Sequence, residues 1–104
     1  MATTPEGKVK ASVKKVLADF GELVDGFWPV PYGMGESHLD YVGCANSHFF
    51  AIEVKAPGKK PTPRQVLRMQ NIAKAKGSYF VIDGTDKTDT VDKLRTWLML
   101  VTGE

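Results

Sequence analysis

Apolar residues recur at helical spacing near the start of the chain and again near its end. The first set consists of Val9, Val13, Val16, Leu17, Phe20 and Val24, with lysines between them. This pattern predicts an amphipathic helix from about Pro5 to Val24, and Thr3 and Glu6 have the spacing of a capping box at its start. A final amphipathic helix is predicted by Val91, Leu94, Trp97, Leu98 and Val101.

The middle of the chain has the pattern of a hairpin. Apolar runs from Leu39 to Ala45 and from Phe49 to Val54 are separated by Asn46-Ser47-His48, a polar turn, which predicts two antiparallel strands. The stretch before them, Gly26 to Gly35, is rich in Pro, Gly and aromatic residues and predicts an irregular loop or a broken strand. Its aromatic side chains either stack on nucleobases or cover the edge of the core.

A second helix and a third strand follow the hairpin. Thr62 as the cap, Pro63 in the first turn and Gln65 closing a capping box predict the start of the helix. Its buried stripe is predicted to be Val66, Met69, Ile72 and Ala73, with Gly77 as its stop. The run from Ser78 to Ile82 predicts a strand buried on both faces, joined to the hairpin by a right-handed parallel crossover.

These elements predict an α/β fold in which a small mixed β-sheet, made of the hairpin and the crossover strand, is flanked by helices. The chain has 104 residues, of which 42% are hydrophobic, so we expect a single domain over residues 1–104. Because a core of this size is modest, we also expect that a homodimer buries additional surface.

The distribution of charge is more informative than the formal net charge of +2. No acid occurs between Lys55 and Lys76, where the charged residues are Lys55, Lys59, Lys60, Arg64, Arg68, Lys74 and Lys76. This run indicates either a positive face for a polyanion or an ordinary solvated helix face.

Cysteine content and hydropathy restrict the class of protein. Cys44 is the single cysteine, which excludes an internal disulfide and a multi-cysteine zinc site, and it is expected to be a small core residue. With His38 and His48 it lacks the spacing of a zinc site. No window approaches the roughly 18 apolar residues of a membrane span, so we expect no membrane partner and an intracellular, cytoplasmic location.

Candidate chemistry is concentrated at the end of the hairpin. Strand alternation places Glu53 and Lys55 on one face, with Ile52 and Val54 on the other. Reflection about a turn near Ser47 places residue 40 opposite residues 53 to 55, so Asp40 is expected to converge with Glu53 and Lys55.

Two chemical interpretations of this convergence remain open. Two carboxylates on adjacent strands form an oxygen-ligand site for a hard divalent cation, beside which Lys55 stabilises negative charge on a phosphate. Alternatively, the three residues form a cross-strand ion pair on a solvated sheet face.

The same residues resemble a known nuclease signature. Asp40 followed by Glu53-Val54-Lys55 resembles the PD-(D/E)XK pattern, an acid followed after a strand and turn by Glu-X-Lys. The continuation to Gln65, then a helix, Gly77 and a hydrophobic strand, is similar to the VRR-NUC branch of that superfamily, over most of the chain from Glu6 to about Ile82. The family's Pro before the first acid is Leu39 here, but Pro is a positional aid and the carboxylate carries the chemistry.

The resemblance implies a restriction-endonuclease-like fold and a Mg²⁺- or Mn²⁺-dependent endonuclease. It implies Asp40, Glu53 and Val54 as metal-binding residues and Asp40, Glu53, Lys55, Gln65 and Glu6 as catalytic residues. It further implies a homodimer, often of phage origin and then in the host cytoplasm, that cuts branched DNA such as four-way (Holliday) junctions or flaps. Glu6 and Gln65 have alternative roles as capping residues, and Glu36 is a further candidate acid.

Phosphate contacts are expected from Lys59, Lys60, Arg64 and Arg68, which position a nucleic-acid backbone without reading its sequence. The alternative function is a nucleic-acid-binding module with the same fold that does not cut, although such a module has no need of Asp40, Glu53 and Lys55 together. A third hypothesis is a folded adaptor whose acids and lysines are merely paired and bind no metal.

Overall fold

The computed structural model describes residues 4–30 and 38–104. Its elements in chain order are α1 (Pro5–Phe20), a short 3-10 helix (Gly21–Leu23), β1 (Val24–Phe27), β2 (Tyr41–Ala45), β3 (His48–Val54), α2 (Pro63–Lys74), β4 (Ser78–Ile82) and α3 (Val91–Thr102). The strands form one sheet in the order β1-β2-β3-β4, antiparallel except for the parallel pair β3 and β4. The predicted mixed sheet flanked by helices is therefore confirmed.

Helix α1 begins at Pro5 as predicted, but its cap and its end differ from the prediction. The side chain of Thr4 accepts the N–H of Gly7 at 2.9 Å, so Thr4 is the cap, and the proposed partner Thr3 lies outside the described residues. The helix ends at Phe20 rather than near Val24 because Gly21 takes a φ of +53°, a conformation that residues with a Cβ rarely adopt.

The first strand falls where the sequence predicts the end of a helix, followed by an irregular loop or a broken strand. Val24 pairs with Ala45 and Phe27 with Val42, so that β1 forms the outer edge of the sheet beside β2. Val24 is half-buried and the remaining three residues of β1 are exposed, which leaves no alternating apolar pattern to indicate a strand. The rest of the predicted loop, residues 31–35, lies outside the described part of the chain, as does Glu36.

The hairpin turn is one residue shorter than predicted. Asn46 and Ser47 both have positive φ, of 47° and 67°, and His48 already belongs to β3. Positive φ at both central residues is the geometry that matches the twist of two antiparallel strands. In the resulting register Tyr41 lies opposite Ile52 and Ala45 lies opposite His48.

The sheet separates two apolar clusters of unequal size. Helices α1 and α3 cover one face, where Val13, Ile52 and Leu98 are fully buried with their neighbours. Helix α2 covers part of the other face with a smaller cluster of Leu39, Ala51, Met69 and Ile72. Because α2 leaves part of that face open, Cys44 is exposed, and the expectation that it is a core residue is wrong.

The start of α2 is confirmed and its end is corrected. Thr62 and Gln65 form the predicted capping box. Val66 and Ala73 are exposed, so only Met69 and Ile72 of the predicted stripe are buried. The left-handed residue after the helix is Lys76, with a φ of +70°, rather than Gly77.

Strand β4 has the predicted bounds but a different environment. Phe80 and Ile82 are buried against α1 and α3, whereas Tyr79 is 40% exposed. Strand β4 forms the second edge of the sheet beside β3, and the expectation that this strand is buried on both faces is wrong.

Candidate functional site

Three chain segments meet at one corner of the sheet. They are Asp40, immediately before β2, the last residues of β3, and the first turn of α2. Continuing the antiparallel register by one residue beyond the Tyr41 and Ile52 pair places Asp40 opposite Glu53. The pairing expected from reflection about the hairpin turn is therefore present.

A direct hydrogen bond holds Asp40 at this position. The backbone N–H of Val54 donates to Oδ2 of Asp40 at 2.8 Å. A charge-assisted bond to a main-chain donor ties the carboxylate to the end of β3, so its position depends little on the missing Pro at residue 39.

Glu53 is an acid inside the protein. Its side chain is 2% exposed, and Oε2 accepts the side-chain amide of Gln65 at 2.8 Å and lies 3.4 Å from Nζ of Lys55. Oε1 is buried and has no hydrogen-bond partner among the described residues. An unsatisfied buried carboxylate oxygen costs free energy unless a further group binds it.

The environment of Glu53 favours its protonated form in the absence of another cation. Burial, then the neighbouring charge of Asp40, and a hydrogen bond between the protonated carboxyl and Asp40 raise the pKa of Glu53 from 4.5 to about 7, while Lys55 acts in the opposite direction. When Glu53 is ionised, its contact with the ammonium of Lys55 does not balance the charge of both carboxylates. The site therefore has room for additional positive charge.

Gln65 links the helix start to this acid. Its Oε1 accepts the backbone N–H of Thr62 at 2.9 Å, and its Nε2 donates to Glu53. The same side chain therefore closes the capping box of α2 through Oε1 and contacts the buried acid through Nε2.

Lys55 lies at the rim of the site. Its side chain is 16% exposed, and its backbone N–H donates to the carbonyl of Ile82 at 3.0 Å, which continues the parallel pairing of β3 with β4. The ammonium is thus directed by a strand rather than by a free loop. Its contact with Glu53 is also the ion pair that the alternative interpretation requires.

The donor set fits a hard divalent cation. Oε1 of Glu53 is an unpartnered buried oxygen beside the second carboxylate, Asp40, and Mg²⁺ is commonly bound by one or two carboxylates while keeping several waters. Within residues 4–30 and 38–104 no three His, Cys, Asp or Glu side chains form a metal-binding group. Within those described residues a third protein ligand would have to be a main-chain atom, and the resemblance to VRR-NUC nucleases implies Val54 for that part.

The structure does not bring Glu6 into this cluster. Glu6 is exposed in the first turn of α1, and it forms no group of three acids with Asp40 and Glu53 in the described parts of the chain. Helix α1 is capped by Thr4, which accepts from Gly7, and Thr3, the capping-box partner expected for Glu6, lies outside the described residues.

The four predicted phosphate contacts follow the site along the chain. Lys59 and Lys60 are exposed in the loop after β3, and Arg64 and Arg68 are exposed on successive turns of α2. We refer to these four exposed residues, which lie between the end of β3 and the middle of α2, as the basic border.

Asp83 is a structural acid that the sequence interpretation did not single out. It directly follows β4 and is 3% exposed. Its oxygens accept the backbone N–H and hydroxyl of Thr85 at 2.8 and 2.6 Å, the hydroxyl of Thr88 at 2.8 Å and the N–H of Gly58 at 3.1 Å. These bonds hold the pKa of Asp83 well below its usual value and fasten the Lys59 loop to β4.

Two comparisons with known proteins found no match for this sequence. A scan against known protein families gives no match, and a search of curated proteins finds no similar sequence. No helix in the described part of the chain is long and apolar enough to span a membrane.

Proposed function

We propose that this protein is a Mg²⁺- or Mn²⁺-dependent endodeoxyribonuclease that hydrolyses phosphodiester bonds. The observation that carries the proposal is the buried Glu53, whose Oε1 has no partner in the described structure and which lies beside Asp40 and Lys55. The carboxylate of Glu53 is 2% exposed, so it does not belong to a solvated ion pair. Burying a carboxylate in a packed core costs free energy, so core packing does not explain it either.

Each side chain has a distinct part in this proposal. Asp40 and Glu53 would hold the cation, with Val54 able to contribute its main-chain oxygen. When bound, the cation lowers the pKa of a water molecule and offsets negative charge on the phosphate. Lys55 places a positive charge where the phosphate develops negative charge, and Gln65 orients Glu53 through its amide.

The substrate class follows from the basic border and from the resemblance to VRR-NUC nucleases. Lys59, Lys60, Arg64 and Arg68 supply contacts to a phosphate backbone. The resemblance favours branched DNA, such as four-way junctions or flaps, and a homodimer with two sites for paired cuts. Light scattering distinguishes that dimer from a single chain of 11.4 kDa.

The test is cleavage of labelled linear, flap, splayed and four-way DNA with Mg²⁺, Mn²⁺ or EDTA. Wild-type protein is expected to cut with either metal and not with EDTA. Lys55→Ala is expected to abolish cleavage with an unchanged circular dichroism spectrum, whereas Lys87→Ala, an exposed lysine in the turn after β4, is expected to cut normally. Binding without cleavage under every metal condition would instead support the non-catalytic nucleic-acid-binding module.

A further inference from the structure

Three adjoining hollows lie along α2 on the open side of the sheet. Their volumes are about 430, 210 and 170 Å³, and Arg68 lines all three. Phe49 and Ile72 line both of the larger two, so these two hollows adjoin each other. We call them together the α2 groove.

One hollow of the α2 groove is lined by residues next to the candidate site. His38 and Leu39 line the hollow of about 210 Å³, and Asp40, which lines none of the three, is the next residue along the chain. The hollow of about 430 Å³ is lined by Ser47, Lys76 and Ser78, at the opposite end of β3. A ligand in the groove would therefore extend directly away from Asp40.

Phe49 provides a fixed aromatic surface in this groove. Its side chain is 45% exposed although it belongs to a strand. A Cβ placed on Gly77 would lie 2.9 Å from Cδ1 of Phe49 and 2.9 Å from Cγ2 of Ile72, so the backbone at residue 77 packs closely against the ring. The ring is held at one side and remains accessible at another.

The charge of the groove is of one sign. Arg64, Arg68 and Lys76 line it, and among the described residues that line the three hollows there is no Asp or Glu. Asp25 lies on the same sheet face, but it is two strands away from Phe49 through Cys44 and lines none of these hollows. As far as the described residues line it, the groove thus combines an accessible aromatic ring with cations and no carboxylate.

We propose that the α2 groove binds a single-stranded segment of nucleic acid, with a base stacked on Phe49 and a phosphate on Arg68. The inference rests on the proposed nuclease function and deepens it, because the substrate then carries an unpaired strand leading away from the scissile bond. A ring face and a basic groove are the elements that bind single strands without sequence preference. A base within a duplex is already stacked and cannot use Phe49.

The test measures binding in EDTA, where no cleavage occurs. The probe is fluorescein-labelled oligothymidylate of about eight nucleotides, within the roughly 4 to 16 nucleotides covered by comparable single-strand sites. Phe49→Leu, which keeps apolar volume but loses the ring, is expected to raise Kd about tenfold, and Phe49→Tyr is expected to remain within about twofold of wild type.

A second pair of variants tests the phosphate contact. Arg68→Gln is expected to reduce the slope of log affinity against log salt by about 0.7, the value for one phosphate on a single strand. Arg95→Gln, on α3 across the sheet, is expected to leave that slope unchanged.

The outcomes separate this inference from the proposed function. Equal affinity of wild type and Phe49→Leu for oligothymidylate, or an equal loss of affinity in Phe49→Leu for a duplex of the same length, would overturn the groove assignment and leave the cleavage centre untouched. Failure of wild type to cut any DNA with Mg²⁺ or Mn²⁺ would remove the nuclease function, whatever the groove binds.

Discussion

The side-chain amide of Gln65 donates a 2.8 Å hydrogen bond to Oε2 of Glu53, which joins the first turn of α2 to the buried acid of β3. The same side chain accepts the backbone N–H of Thr62. Gln65 therefore contributes both to the stability of the start of α2 and to the orientation of the Glu53 carboxylate.

This double role can be separated by mutation. Thr62→Ala removes the cap and is expected to cost about 1 kcal/mol of the free energy of unfolding, with cleavage nearly unchanged. Gln65→Ala is expected to lower cleavage by roughly 10- to 100-fold because Glu53 loses its orienting donor. Urea unfolding and cleavage rates measured on both variants check this; equal losses of activity would contradict it.

The raised pKa of Glu53 makes stability depend on pH in a defined direction. The pKa of Glu53 is about 7 in the folded state and 4.5 ordinarily, so the folded state holds the proton more tightly. The free energy of unfolding therefore falls as the pH rises from 4.5 to about 7. Urea unfolding in EDTA at about pH 5 and about pH 7.5 is expected to show this loss in wild type. Glu53→Gln is expected to lack it, and parallel curves for the two proteins would contradict the assignment.

The pKa of Asp83 is lower in the folded state than its usual value. Its carboxylate is therefore expected to stabilise the fold at any pH above that usual value, and this stabilisation is expected to be lost as the pH falls below it. Asp83→Asn places an amide donor among existing donors and is expected to cost about 3 kcal/mol of unfolding free energy. Asp86→Asn, an exposed acid in the same turn, is expected to stay within about 0.5 kcal/mol of wild type. Thermal unfolding of both variants measures the difference.

Lys59 and Lys60 are expected to contribute to DNA affinity through counterion release. Neutralising both is expected to reduce the slope of log affinity against log salt by roughly 2 for duplex DNA. Neutralising Lys8 and Lys15, which are exposed on α1, serves as the matched control. An unchanged slope in the first variant would place the DNA-binding surface elsewhere.

The sequence was sufficient where local rules decide the geometry. Reflection about the Asn46-Ser47 turn and strand alternation bring Asp40, Glu53 and Lys55 to one corner, and the observed register agrees. The capping box at Thr62 was equally predictable, because its members are three residues apart.

Features that depend on distant partners could not be predicted in the same way. Strand β1 exists because the backbone of β2 pairs with it, and its own residues lack alternation. Asp83 has a donor at Gly58, 25 residues earlier in the chain, which no local pattern reveals. Thr3 and Thr4 precede Pro5 together, and a shift of one residue decides which of them caps α1.

Calorimetric titration of Mn²⁺ into wild type, Asp40→Asn and Glu53→Gln, read beside their cleavage rates, tests the central claim most directly. Asp86→Asn is the matched control, since it removes an exposed acid outside the cluster. We predict that wild type and Asp86→Asn bind the cation and cut DNA, while the other two variants bind at least about tenfold more weakly and do not cut. If both variants bind Mn²⁺ as tightly as wild type and still cut DNA, Asp40 and Glu53 are not the metal-binding pair and the proposed nuclease centre is wrong.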